Sequence, residues 1–223
     1  SAHPRWALAL AVALAAAAAA TGREPREIAL VAATALVGQA VLGWHNDLVD
    51  RDRDREHHVE GKPLADGRLE TGTVWFAIAC GVLLLVPLTV TNGITAGSAF
   101  LLYVLIGVLG NVVLRQGLLS WLPWAASYAL LPAFLSYGGW GGQHEGDPPR
   151  VLMTVLFALL GIGVHLVGSV WGLVPDDASG WRTLPLRIGR RTGSSRLLAI
   201  GVVWTVAALV ALVVSGAGAG LVQ

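Results

Sequence analysis

The stretch Glu27-Ile-Ala-Leu-Val-Ala-Ala-Thr-Ala-Leu-Val-Gly-Gln-Ala-Val-Leu-Gly-Trp-His-Asn-Asp-Leu-Val-Asp-Arg-Asp-Arg-Asp54 begins as an apolar run and ends as a row of charges. Its first twenty or so residues are long enough and apolar enough to cross a bilayer as a helix, which needs about 20 such residues at ~1.5 Å rise each. The whole chain shares that character. Of 223 residues, 55% are hydrophobic and 13% charged, with mean hydropathy +0.65. A soluble domain carries roughly 25% charged residues, so this composition requires an apolar solvent. Apolar runs recur at residues 4–20, 27–48, 71–90, 94–114, 117–138, 151–174 and 197–215. The expected fold is an all-α polytopic transmembrane bundle of about seven helices. The alanine-rich first run is read as a true span, because it has no cleavage signature and comparable runs follow.

Basic residues set the orientation, since cytoplasmic loops retain Lys and Arg. With strict alternation, Arg5, Arg51, Arg53, Arg55, Lys62, Arg68, Arg115, Arg182, Arg187, Arg190, Arg191 and Arg196 fall on one side, and only Arg23, Arg26 and Arg150 on the other. Twelve against three places the N-terminus and the loop around residue 60 in the cytoplasm, and the loop near residue 145 outside. Ten of the fourteen acidic residues also lie in, or at the helix ends entering, the two long cytoplasmic loops. A net charge of +1 argues against a nucleic-acid role. One cysteine, Cys80, excludes internal disulfides and cysteine-based zinc sites, and reads as a buried apolar residue within a span.

In Gly43-Trp-His-Asn-Asp-Leu-Val-Asp-Arg-Asp-Arg-Asp54, residues Asn46, Asp50 and Asp54 stand four apart. On a helix each such step turns only ~40° and rises about 6 Å, so the three share a face. Parallel carboxylates repel unless a cation lies between them. Hard oxygen ligands suit Mg²⁺, which binds few carboxylates and completes its shell with water and phosphate. The pattern therefore points to a magnesium–diphosphate headgroup at the membrane edge. Two competing readings are an ion-paired, solvated helix end and a calcium loop on Asp50, Asp52 and Asp54. The calcium loop fails because Arg55 replaces the required glycine and Gly61 the final glutamate. A lipid-binding surface loop would need the bases without the acids. Downstream, Gly61-Lys-Pro-Leu-Ala-Asp-Gly-Arg-Leu69 turns at Pro63 and Gly67 and returns Lys62 and Arg68 towards the acidic helix.

These residues resemble the UbiA superfamily of intramembrane prenyltransferases. That family has N-x-x-x-D-x-x-x-D at the end of helix 2, here Asn46, Asp50 and Asp54, followed by a loop similar to R-P-[IL]-x-x-G-R, here Lys62 to Arg68. A second signature after helix 6 resembles D-x-x-x-D-x-x-x-G-x-R-T-L-P-x-x-x-G. Its later part is matched by Asp176-Asp-Ala-Ser-Gly-Trp-Arg-Thr-Leu-Pro-Leu-Arg-Ile-Gly189. The two lie four helices apart, as the family's internal repeat implies. Two departures stand out. The acidic position four before Asp176 is Gly172 and the one eight before, often Asn, is Gly168, so the second cluster is thinned to Asp176 and Asp177. The family also usually has nine helices, against seven here.

The resemblance implies one transmembrane prenyltransferase-like domain over residues 1–223. It implies Mg²⁺ as cofactor, held by Asn46, Asp50, Asp54, Asp176 and Asp177, with Asp50, Asp54 and Asp176 catalytic. Lys62, Arg68, Arg115 and Arg182 would bind the diphosphate. A prenyl diphosphate would donate to an aromatic acceptor, with the isoprenoid tail in the apolar core among membrane lipids. The expected location is a bacterial plasma membrane, with the site on the cytoplasmic face. A terpene cyclase of the same type, phosphoribosyl transfer to a prenyl phosphate, and a non-catalytic lipid-binding or scaffold member are the alternatives. His45 is a candidate substrate contact. His165 is read as a cavity residue or an interhelical hydrogen bond. Trp44, Trp171 and Trp181 flank the motifs as interfacial tryptophans that could also shield a carbocation.

Overall fold

The computed structural model describes residues 4–142 and 148–217, and the loop around residue 145 lies outside them. Each expected apolar run is helical. Among the described residues five helical stretches are long and apolar enough to cross a membrane: Pro25–Glu56, Thr71–Thr91, Leu118–Ser136, Val151–Ala178 and Ser194–Gly216. Two shorter apolar helices, Pro4–Ala20 and Ile94–Gly110, complete the seven. At 17 residues each, they reach the lower limit of about 17 for a span. Large apolar side chains face outward, with Phe76 71%, Leu83 74% and Val213 70% exposed. Water would not tolerate such surfaces, and lipid does. The chain is a multi-pass integral membrane protein. Cys80, expected to be buried, is exposed on that apolar surface of its helix, because it shares a face with outward-pointing Phe76 and Leu83, one helical turn away on either side.

The chain divides into two compact units. Among the described residues, the first comprises 4–104 with 133–142 and 148. It contains α1 (Pro4–Ala20), α2 (Pro25–Glu56), α3 (Thr71–Thr91) and most of α4 (Ile94–Gly110). Helix α2 packs against both α1 and α3. Small residues permit the close approach. A Cβ on Gly38 would fall 2.6 Å from the Phe100 ring, and one on Gly81 2.7 Å from Val41. The Phe100 and Phe134 rings are both fully buried and pack at a tilt, with centroids 4.8 Å apart. Helix α2 runs 32 residues, about 48 Å, against a hydrocarbon core of about 30 Å. Its apolar part accounts for the crossing, and the turns beyond residue 48 continue past it. Arg53 and Arg55 in the last turn complement the helix dipole there, and the His57 amide donates to the Arg53 carbonyl to close it.

The other end of α2 is tied down too. Pro25 starts the helix. Buried Glu27 accepts from the Trp140 amide at 2.8 Å, Arg26 lies over the Trp140 ring, and Arg23 donates to the carbonyls of Leu135 and Gly138. Buried Asn92 donates to Thr34 Oγ1 at 3.0 Å.

Among the described residues, the second unit comprises 105–132 and 149–217. The expected continuous helix over 117–138 is interrupted. A 3-10 turn at Leu118–Trp121 leads into α5 (Leu122–Tyr128), and α6 (Leu131–Ser136) follows. Pro123 and Pro132 each fall at a helix start, where a missing amide hydrogen costs nothing. Helix α7 (Val151–Gly168) packs on α5 and on α10 (Ser194–Ala217). Gly161 and Gly163 permit both contacts, the first against Trp124 and Tyr128 and the second against Trp204 and Thr205. After α7 a 3-10 turn at Ser169–Gly172 precedes α8 (Leu173–Ala178), and α9 (Leu184–Thr192) leads into α10.

Candidate active site

In the first unit the polar end of α2 forms a buried charge cluster. Asp50 and Asp54 are both buried, and Asn46 Nδ2 donates to Asp50 Oδ2 at 2.9 Å. The shared face expected from the four-residue spacing is thus present, with Asn46 and Asp50 in contact. Lys62 reaches down from the following loop. Its Nζ lies 3.5 Å from Asp54 Oδ2 and donates to Asp47 Oδ1 at 2.6 Å. Arg53 Nη2 stands 3.5 Å from Asp50 Oδ2 and 3.8 Å from Asp54 Oδ1.

Asp47 escapes a reading based on steps of four. The signal that would have found it is its separation of seven from Asp54, two helical turns that return to within ~20° of the same line. Asp47 is as buried as its neighbours.

The loop is anchored along its length. Arg55 Nε donates to the Ala65 carbonyl at 3.0 Å and Arg51 Nη1 to Thr71 Oγ1 at 2.9 Å. Leu64 and Ala65 are buried beneath it. Gly61 and Gly67 take φ of +75° and +74°, the left-handed region that side chains avoid. Arg68 does not join the carboxylates of the helix. It is exposed and pairs with Asp66 at 2.5 Å.

The cluster formed by these side chains holds three carboxylates, Asp47, Asp50 and Asp54, against two cations, Arg53 and Lys62. Excess negative charge in a dry setting is what a further cation relieves. The donor set is entirely hard oxygen, with two carboxylates and an amide on one face. That suits a small divalent ion whose remaining ligands are water or phosphate. Among the described residues, no three His, Cys, Asp or Glu side chains already converge as a cage.

In the second unit the equivalent motif is built differently. Asp176 is buried, whereas Asp177 is half-exposed and holds Arg190, whose Nε donates to Asp177 Oδ1 at 2.8 Å. Arg115 lies 5.0 Å over the Trp181 ring, a cation–π contact. Arg182 is exposed at its side chain, and its amide donates to the Gln116 carbonyl at 2.9 Å. The Thr-Leu-Pro of the motif is a helix start. Thr183 Oγ1 accepts from the Leu186 amide at 3.3 Å and Pro185 sits in the first turn of α9. Gly172 and Gly168 are not demanded by packing. A Cβ on Gly172 would meet only the Asp176 carboxylate at 3.6–3.8 Å, and one on Gly168 nothing within 4 Å.

Of the remaining candidates, His165 is an interhelical contact. Its Nε2 lies 3.1 Å from Ser120 Oγ and its ring stacks on Trp124. Trp181 is the platform for Arg115, Trp171 is 71% exposed, and Trp44 and His45 are partly buried on α2.

Among the described residues this is a helical membrane chain that carries a charged helix end, a basic loop and a second acidic motif. The chain belongs to the UbiA prenyltransferase family, whose sequence profile matches residues 7–222. Among curated proteins it is similar to the chloroplastic chlorophyll synthase of Arabidopsis thaliana, 25% identical over 180 residues, which cover 75% of this chain and 46% of that protein. The chain spans about half the length of that relative. No solved structure matches.

Proposed function

We propose that the protein is a Mg²⁺-dependent intramembrane prenyltransferase that moves a prenyl group from a prenyl diphosphate to an aromatic acceptor. The observation that carries this reading is the buried row of Asp50 and Asp54, with Asn46, at the polar end of a membrane-crossing helix. A soluble headgroup on an apolar tail needs such a junction of charge and hydrocarbon. Membership of the UbiA prenyltransferase family supports the reaction class.

Asn46, Asp50 and Asp54 would hold Mg²⁺, which when bound neutralises diphosphate oxygens. Lys62 brings a fixed positive charge to the edge of that face. Within the second motif, Asp176 is the buried candidate for metal, with Asp177 beside it, and Arg115 and Arg182 are candidates for diphosphate. Arg68, at the surface with Asp66, is a candidate for meeting the diphosphate on entry. In the reaction the allylic C–O bond breaks and its electron pair leaves with the diphosphate, where positive side chains stabilise the growing charge. The acceptor carbon or oxygen then bonds to the allylic carbon and loses a proton. Apolar walls keep water from the cation. The cytoplasmic side is the proposed face of the site, from the segregation of basic residues.

The thinned second motif favours one further reading, a member that binds isoprenoid lipid without turnover. Purified protein incubated with Mg²⁺ and a prenyl diphosphate separates the readings. A transferase releases diphosphate only when an acceptor is supplied. Hydrocarbon formed without acceptor would identify a cyclase, and binding without diphosphate release would identify the non-catalytic member.

A further inference from the structure

Lys62 is the single lysine among the fifteen basic residues of the chain. Everywhere else the sequence uses arginine. The exception lies at 9% exposure, between two buried carboxylates, 2.6 Å from Asp47 Oδ1 and 3.5 Å from Asp54 Oδ2. A compact ammonium can serve two carboxylates that lie two turns apart on one helix line. A guanidinium is a broad planar fork built for bidentate contact with one.

The backbone places the lysine but does not aim it. Gly61 at φ +75°, Pro63, and buried Leu64 and Ala65 fix the Cα beside α2. The four-carbon stem still has many rotamers, and a side chain that must present one charge at one point has to lose that freedom somewhere. Asp47 supplies the short contact that removes it.

We infer that Asp47 is a positioning residue. It holds the Lys62 ammonium at the edge of Asp54, so that a fixed positive charge faces the oxygen-ligand row before any substrate arrives. Asp47 acts through Lys62 and is not itself a ligand of metal or diphosphate. The catalytic consequence rests on the prenyl diphosphate reading above, whereas the pairing of Asp47 with Lys62 stands without it.

The experiment has two arms. In the first, the full chain in detergent, without metal or diphosphate, is treated with an amine-reactive reagent, and modification is read by mass spectrometry. Only Lys62 and the N-terminal amine can react, so the terminus is an internal reference. An unpaired lysine already labels more slowly than an α-amine near neutral pH, so the wild-type ratio of Lys62 to terminus labelling is the baseline. The near-isosteric Asp47→Asn should raise that ratio about tenfold, the factor expected for loss of one charged hydrogen bond. A ratio that Asp47→Asn leaves unchanged overturns the pairing.

The second arm measures kcat/KM with Mg²⁺ and a prenyl diphosphate for Asp47→Asn, Lys62→Ala and the double variant. Asp47→Asn should lose about tenfold at an unchanged half-saturating Mg²⁺ concentration. Lys62→Ala should cost little more in that background, and Asp47→Glu, which keeps the charge, should recover most of the loss. Losses that multiply in the double variant, or a raised Mg²⁺ requirement in Asp47→Asn, would contradict the positioning role. Labelling of Lys62 that Asp47→Asn speeds, in a protein that turns over no prenyl diphosphate, would instead overturn the proposed reaction and leave the pairing in place.

Discussion

Asp50 and Asp54 stand on the last turns of a 32-residue helix, whereas Asp176 stands on a helix of six residues between a 3-10 turn and the start of α9. The long helix makes register dependable, so carboxylates at fixed spacing must share a line, and a loop lysine can be set between them. The short helix fixes only one buried carboxylate. Its neighbour Asp177 turns to the surface and Arg190. The two regions carry similar motif letters with unequal chemistry. Charge is concentrated and buried in the first, and in the second much of the motif goes to capping and anchoring α9.

That contrast can be broken most directly at the first motif. Asp50→Ala and Asp54→Ala should each lower Mg²⁺-dependent turnover by at least about 10²-fold, as loss of a principal electrostatic contact does. Circular dichroism should show the helices intact, since both residues lie beyond the apolar part of α2. Retained activity in either variant, or activity that survives a chelator, would remove the metal assignment.

Asp176→Ala should cost less, about tenfold, and its signature should be a higher Mg²⁺ requirement, since affinity at an oxygen site falls with ligand charge. Gly172→Asp sharpens the same point from the other direction. The space beside Asp176 admits a Cβ without a clash, so the added carboxylate should lower the Mg²⁺ concentration for half-maximal rate a few-fold. An unchanged or higher requirement would show that the missing acid is not what distinguishes the two motifs.

The smallest effect belongs to the capping residue. Thr183→Ala should reduce stability by about 1 kcal/mol, the usual loss for an N-cap hydroxyl, measured by thermal unfolding in detergent. Abolished turnover without that loss would give Thr183 a chemical role.

How far the sequence carried the fold and the site follows from the same difference. The apolar runs located all seven helical stretches, because crossing a bilayer imposes a length and a composition that local sequence displays. Where that constraint lapses, so did the reading. The run over 117–138 is broken by turns ahead of α5 and α6, which two prolines mark only in retrospect. Helix α2 continues eight residues past its apolar part, because ion pairs along its charged end sustain it. The Asn46, Asp50 and Asp54 face was legible from spacing. The separation of seven between Asp47 and Asp54 was legible too, but the pairing of Asp47 with Lys62 was not, since the two are fifteen residues apart and only the fold of the loop brings them together. The exposure of Cys80 was equally hidden. Composition places a residue within a span, but only packing decides whether it faces lipid or protein.

The unequal use of the two motifs is tested most directly by a magnesium titration of initial rate for wild type, Asp50→Ala and Asp176→Ala, with a prenyl diphosphate and an aromatic acceptor. The expected result is that saturating Mg²⁺ restores much of the rate of Asp176→Ala and little of that of Asp50→Ala. Equal damage in both variants at saturating Mg²⁺ would contradict this account and give Asp176 a role of its own in the reaction.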